Sequence, residues 1–149
     1  MKGGVHMLKS IVTKEGNKFY QVTKEEIDRI EEELGIIIPK DLKYFYKQVG
    51  YGFLESKEYR FNRIMSPNGV INFRFRKGEF ENNNELNIYE SFEKDKLIFF
   101  EMVEGSYLSI GFSKDNKGQI FDGNKKIAND LVEFLIKYQE NELYFYPLD

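Results

Sequence analysis

Residues 34–52 read LGIIIPKDLKYFYKQVGYG, three consecutive isoleucines running straight into a proline, with glycine at both ends. A proline at that place disfavours a central strand, because it has no N–H for a ladder, but it suits the first turn of a helix. The flanks agree. Upstream, Thr23 is a candidate N-cap with Glu26 three positions later, the spacing of a capping box. Ile27, Ile30 and Leu34 then share one helical face, Glu25, Asp28, Glu32 and Glu33 point away from it, and Gly35 stands where a left-handed C-cap belongs. Downstream of Pro39, Leu42, Phe45, Tyr46 and Val49 recur at i, i+3, i+4 and i+7, and Gly50 closes the run. The stretch therefore predicts two amphipathic helices joined by a tight connector whose isoleucines are buried.

Beyond residue 58 the period changes. In VINFRFRKG, Ile71, Phe73 and Phe75 alternate with Asn72, Arg74 and Arg76, which predicts a strand with one wet face. EYRFNRI reads as its partner through a turn at MSPNG. KLIFFEMV reads as an apolar strand, and SYLSIGFS with GQIFDG as a hairpin around KDNKG. Helical spacing returns at the end: Ile127, Leu131, Phe134, Leu135 and Tyr138 form one stripe that begins near Asn129 or Asp130. The aromatic tail ELYFYPLD is expected to dock as a short extended segment. The order predicts an α+β fold: a mainly antiparallel sheet of five to six strands, with two N-terminal helices and a C-terminal helix packed against it. At 149 residues the chain is expected to form one domain (1–149, with 1–10 flexible).

Composition narrows the chemistry. The chain has no cysteine, which removes disulfides and thiolate sites. His6 is the only histidine and falls in the terminus expected to be loose, which argues against a Ser-His-Asp arrangement. No phosphate-binding glycine loop or calcium loop spacing is present, and no cofactor or metal is expected. Glu101, Glu104 and Asp122 are candidates for a carboxylate pair, but nothing in the spacing singles out one pair. The net charge of −3 argues against a general nucleic-acid binder. No apolar run approaches a membrane span and the start MKGGVHMLKS lacks a secretory pattern, so a cytoplasmic protein is expected.

Two stretches are candidate surfaces. FRFRKG interleaves aromatic and basic residues as single-stranded RNA platforms do, provided the rings face outward. The opposite reading buries Phe73 and Phe75 and leaves Arg74 and Arg76 in water, and it is the reading preferred here. The segment EFENNNELNIYESFEKD carries Glu79, Glu81, Glu85, Glu90, Glu93 and Asp95 against only Lys94. It is either a solvated connection or a surface for a partner with a basic face.

The capped helix and its joint resemble the signature of the SUKH superfamily, which contains fungal cell-wall-synthesis regulators of the SMI/KNR type and many bacterial immunity proteins. Ile27, Ile30 and Glu31 fit its first helix, Leu34, Gly35, Ile38 and Pro39 its joint, Leu42 and Phe45 its second helix, and Gly50 and Gly52 the close of that helix. Gly105, Leu108, Gly118, Ile120 and Phe121 resemble the family's later hairpin, and Leu131, Phe134 and Leu135 its final helix. Leu42 stands where the family often has an aromatic, and Val49 where it often has asparagine. The resemblance implies a non-catalytic binding protein. The favoured partner is a cognate toxin, often a nuclease, of a polymorphic or contact-dependent system; a regulatory interaction module without a toxin is the alternative. No membrane or nucleic-acid partner is implied.

Overall fold

The computed structural model describes residues 9–57, 62–103 and 105–146. Seven strands form one antiparallel sheet: β1 (Lys18–Tyr20), β2 (Tyr51–Leu54), β3 (Asn62–Ile64), β4 (Lys96–Val103), β5 (Ser106–Gly111), β6 (Ile120–Asp122) and β7 (Lys125–Ala128). Every strand pairs with the next in sequence, so the sheet is a meander in the order β1 to β7. Two helices, α1 (Lys24–Leu34) and α2 (Lys40–Gln48), interrupt it between β1 and β2. A third, α3 (Pro67–Phe75), with the acidic segment after it, lies between β3 and β4, and α4 (Leu131–Glu140) closes the chain. The fold is α+β, as expected, with more strands than the five or six read from the sequence.

The capping box forms as its spacing requires. The Thr23 hydroxyl accepts from Glu26 N, and the Glu26 carboxylate accepts from Thr23 N at 3.1 Å. Gly35 takes the left-handed cap and donates to Glu31 O. Ile27, Ile30, Leu42, Phe45 and Tyr46 are buried, while Leu34 and Val49 are only partly covered. Pro39 occupies the cap position of α2, one residue ahead of its first turn.

The connector differs from its expected form. Ile38 is 2% exposed, Ile36 is partly buried, and Ile37 is 72% exposed. An extended link presents successive side chains to opposite sides, so three adjacent isoleucines cannot all face one core. What holds the joint closed is Glu31. Its carboxylate accepts from Ile38 N at 3.1 Å and pairs with Lys43 Nζ on α2 at 3.2 Å, so one side chain fixes the connector and both helices. Gly50 and Gly52 let β2 run against β1. A Cβ at Gly50 would stand 1.9 Å from Tyr20 O, and one at Gly52 2.1 Å from Lys18 O.

VINFRFR is helical, not a strand. Ser66 accepts from Gly69 N and Pro67 takes the first helical position, so MSPNG is a helix start and not a hairpin turn. β3 pairs instead with β2 and β4; residues 58–61 of the EYRFNRI reading lie outside the described residues. Phe73 is buried as expected, but Phe75 is 45% exposed and Arg74 and Arg76 are half-buried. At the end, Ile127 belongs to β7, while Asp130 caps α4 and accepts from Glu133 N at 2.8 Å. The tail docks in turns rather than extended: Phe145 is buried, and the Tyr144 hydroxyl donates to Ile127 O at 2.6 Å. Residues 147–149, Met7 and His6 fall outside the described residues. Residues 9–13, two of them inside the terminus expected to be flexible, are helical, with Ile11 fully buried.

Candidate protein-binding face

The acidic segment is built, not merely solvated. Two short 3-10 helices, η1 (Gly78–Phe80) and η2 (Asn84–Tyr89), carry Phe80, Leu86 and Tyr89 into the core. There Phe73 of α3 packs its ring 5.0 Å from Phe80 and 5.8 Å from Tyr89, and Tyr107 of β5 joins them at 4.8 Å from Phe73. The Tyr89 hydroxyl accepts from Tyr107 N at 3.0 Å and lies 3.4 Å from Gly105 O. Burial pushes the hydroxyls of Tyr89 and Tyr107 above the ordinary tyrosine range, and Glu101 beside Tyr107 adds to its shift. Both remain neutral at physiological pH.

The two arginines of FRFRKG hold this segment in place. The Arg76 guanidinium pairs with both oxygens of Glu93 and reaches Leu86 O at 3.4 Å, stacking over the Phe73 ring at 4.6 Å. Arg74 donates to Glu93 O and, at 3.2 Å, to Lys96 O. Arg76 sits in the left-handed region at φ 53°, a conformation that costs a non-glycine residue about 1–2 kcal/mol. Its contacts to Glu93 offset that cost. The stretch is therefore a brace between α3 and the acidic segment, and it does not form the sheet of outward rings that an RNA platform requires.

This geometry divides the six carboxylates. Glu93 is 8% exposed and engaged by Arg76. Asp95 is half-buried beside Lys96 Nζ at 2.9 Å. Glu79 is exposed and 3.7 Å from Arg63, which also pairs with Glu101 at 2.8 Å. Glu81, Glu85 and Glu90 are exposed, and no ion pair involves them among the described residues. Beside η2 a hollow of about 470 Å³ is lined by Arg74, Arg76, Asn87, Glu90, Glu93 and Lys94.

The other candidates are less organised. Glu101 on β4 and Asp122 on β6 are separated by β5, and Glu104 is outside the described residues. Among the described residues no cluster of three or more His, Cys, Asp or Glu side chains could hold a metal. No helix among them is long and apolar enough to cross a membrane. A hollow of about 490 Å³ at the helix joint has Ile37, Pro39, Asp41 and Asp130 on its walls together with Lys40 and Lys117. Burial and the neighbouring Asp130 hold the Asp41 carboxyl above its usual range. The bond from Ile38 N to Glu31 gives Glu31 a role at the joint that the sequence did not disclose, and Ile88 on the surface of η2 is 66% exposed.

The fold is thus a capped helix pair feeding a seven-stranded meander, with a helix-borne insertion packed on it: an α+β protein whose exposed acidic segment is braced from within. The model of the SMI1 / KNR4 family (SUKH-1) matches residues 21–137, and the chain belongs to that family. It is also 42% identical over 132 residues to the Immunity protein YxxD of Bacillus subtilis (strain 168), a match that covers 89% of this chain and 90% of that protein.

Proposed function

We propose that the chain is an immunity protein: a non-catalytic, cytoplasmic inhibitor that neutralises a cognate protein toxin by binding it. The observation that carries this reading is the 42% identity to a protein named for immunity, extending over nine-tenths of both chains. The motif residues support binding over catalysis, since Ile27, Ile30, Gly35, Ile38, Pro39, Leu42, Phe45, Gly50 and Gly52 build the joint, the core and the β1–β2 contact. The partner surface is the exposed acidic face at Glu79, Glu81, Glu85 and Glu90, and its partner presents a basic face, as the substrate site of a nuclease does.

The test is co-expression. Each candidate toxin domain found among the genes neighbouring this chain's own is induced in a host with and without the protein, and growth is followed. Protection together with a purified one-to-one complex is expected. Toxins that all kill equally with and without the protein would sink the reading.

A further inference from the structure

We propose that Ile88 is the apolar anchor of the toxin interface, entering an apolar pocket on the partner that is rimmed by lysine or arginine. The inference rests on the immunity reading and names the contact through which it works.

An exposed isoleucine alone is ordinary on a protein surface. Ile88 differs in how it is presented. A 3-10 helix has three residues per turn, so side chains at i and i+3 lie above one another. In η2, Leu86 and Tyr89 share the inward edge at 1% and 7% exposure. Glu85 and Ile88 therefore share an outward edge, and both are exposed. The backbone behind that edge is fixed on several sides: Leu86 O by Arg76, Tyr89 by its hydroxyl contacts and ring neighbours, and the cap by Asn83 accepting from Glu85 N at 3.0 Å. Such an edge loses little freedom on binding, which is the condition for an efficient anchor.

Its surroundings state the partner's chemistry. Glu85 stands one turn before Ile88, Glu90 stands two residues after it, and neither carboxylate has an ion-pair partner among the described residues. An apolar centre inside a charged rim is the anatomy of a protein interface. Here the unpaired carboxylates are those of Glu85 and Glu90, while Arg74 and Arg76 in the adjoining hollow are engaged internally and Lys94 also lines it. Two of the other exposed apolar groups are already engaged: Lys77 covers the Phe75 ring at 5.2 Å, and Tyr20 stacks on Tyr51 at 5.4 Å.

The test measures association and dissociation of the complex with the same toxin domain, for wild type, Ile88→Ser and the pair Glu85→Lys/Glu90→Lys. Ile88→Ser is expected to weaken binding about ten-fold to a hundred-fold, mainly by faster dissociation, with the salt dependence of association unchanged. The lysine pair is expected to slow association and flatten its salt dependence. Thermal melting should be the same for Ile88→Ser and wild type, because Ile88 is no part of the core. Binding by Ile88→Ser within two-fold of wild type overturns the anchor while leaving the immunity reading in place. A dimer of the free protein that Ile88→Ser dissolves assigns the residue to self-contact and likewise overturns it. Failure of the wild type to bind the toxin overturns both.

Discussion

Glu31 shows how one side chain can make a short motif necessary. The connector between α1 and α2 is only a few residues long, so it has little hydrogen bonding of its own, and the buried Ile38 amide needs an acceptor. Glu31 supplies it from the preceding helix and spends its other oxygen on Lys43. Glu31→Ala leaves that amide unpaired and is expected to cost about 1–3 kcal/mol in urea denaturation. The neighbouring isoleucines separate cleanly by burial. Ile38→Ala opens a cavity and should cost roughly 2–5 kcal/mol. Ile37→Ala, at 72% exposure, should stay within about 0.5 kcal/mol of wild type. Equal losses at the two positions would mean that the run is buried as a unit.

At the scale of elements, stability of the acidic segment depends on Arg76. Removing its side chain takes away the partner of a buried glutamate and uncovers a left-handed turn at the same time. Arg76→Ala is expected to lower hydrogen-exchange protection across residues 84–94 well before global unfolding, while α1 and α2 keep theirs. Uniform protection in the variant would show that the aromatic contacts suffice. Helix α4 offers a titration. Glu133 accepts from Asn129 N at 3.0 Å and pairs with Lys137 at 2.8 Å, and these contacts hold its carboxyl below the usual glutamate range. Its folded-state pKa is therefore depressed, so its contribution is present above the unfolded pKa and disappears as the pH falls through the folded value. Wild type should melt above Glu133→Gln at neutral pH, with the gap closing in acid. A gap independent of pH would assign the effect to packing.

The same elements show what could be read without coordinates. α1 was legible because cap, box, periodic face and C-cap glycine all agree over eleven residues. α3 was missed because nine residues with Val70, Ile71 and Phe73 all buried leave no polar stripe, and the remaining alternation imitates a strand. The deciding signal was local: serine followed by proline is a helix start. β1, β2 and β7 are three or four residues long, too short for alternation to stand out. The acidic composition of 79–95 was visible, but which carboxylates are spent internally depended on Arg63 and Arg76, whose positions only the fold supplies.

For the whole molecule, the segment after α4 links distant parts of the meander. The turns after α4 lie over β7, where Lys125 Nζ donates to Phe145 O at 3.0 Å and Tyr144 bonds Ile127 O. The buried Glu142 meanwhile accepts from Ser56, Lys57 N and Asn62, tying the chain's end to the β2–β3 connection. The acidic face, by contrast, is carried on a segment that is braced by Arg74 and Arg76 without being part of the sheet. Exposed charges of that kind act mainly on encounter: opposite potentials speed association, and salt screens them with a Debye length of about 8 Å at physiological ionic strength. Reversing Glu81, Glu85 and Glu90 to lysine together should therefore slow association with the toxin several-fold while leaving dissociation much less changed. Added salt should slow the wild type toward the variant. Glu79→Lys is expected to do less for encounter, because Glu79 already faces Arg63, and more to stability, because it sets a second cation beside Arg63 in place of one of that arginine's two carboxylate partners. Stopped-flow association at two salt concentrations, with thermal melts of each variant, separates these effects. Equal association rates for wild type and the triple variant would move the partner to another face of the protein and leave the inhibitor reading to be tested there.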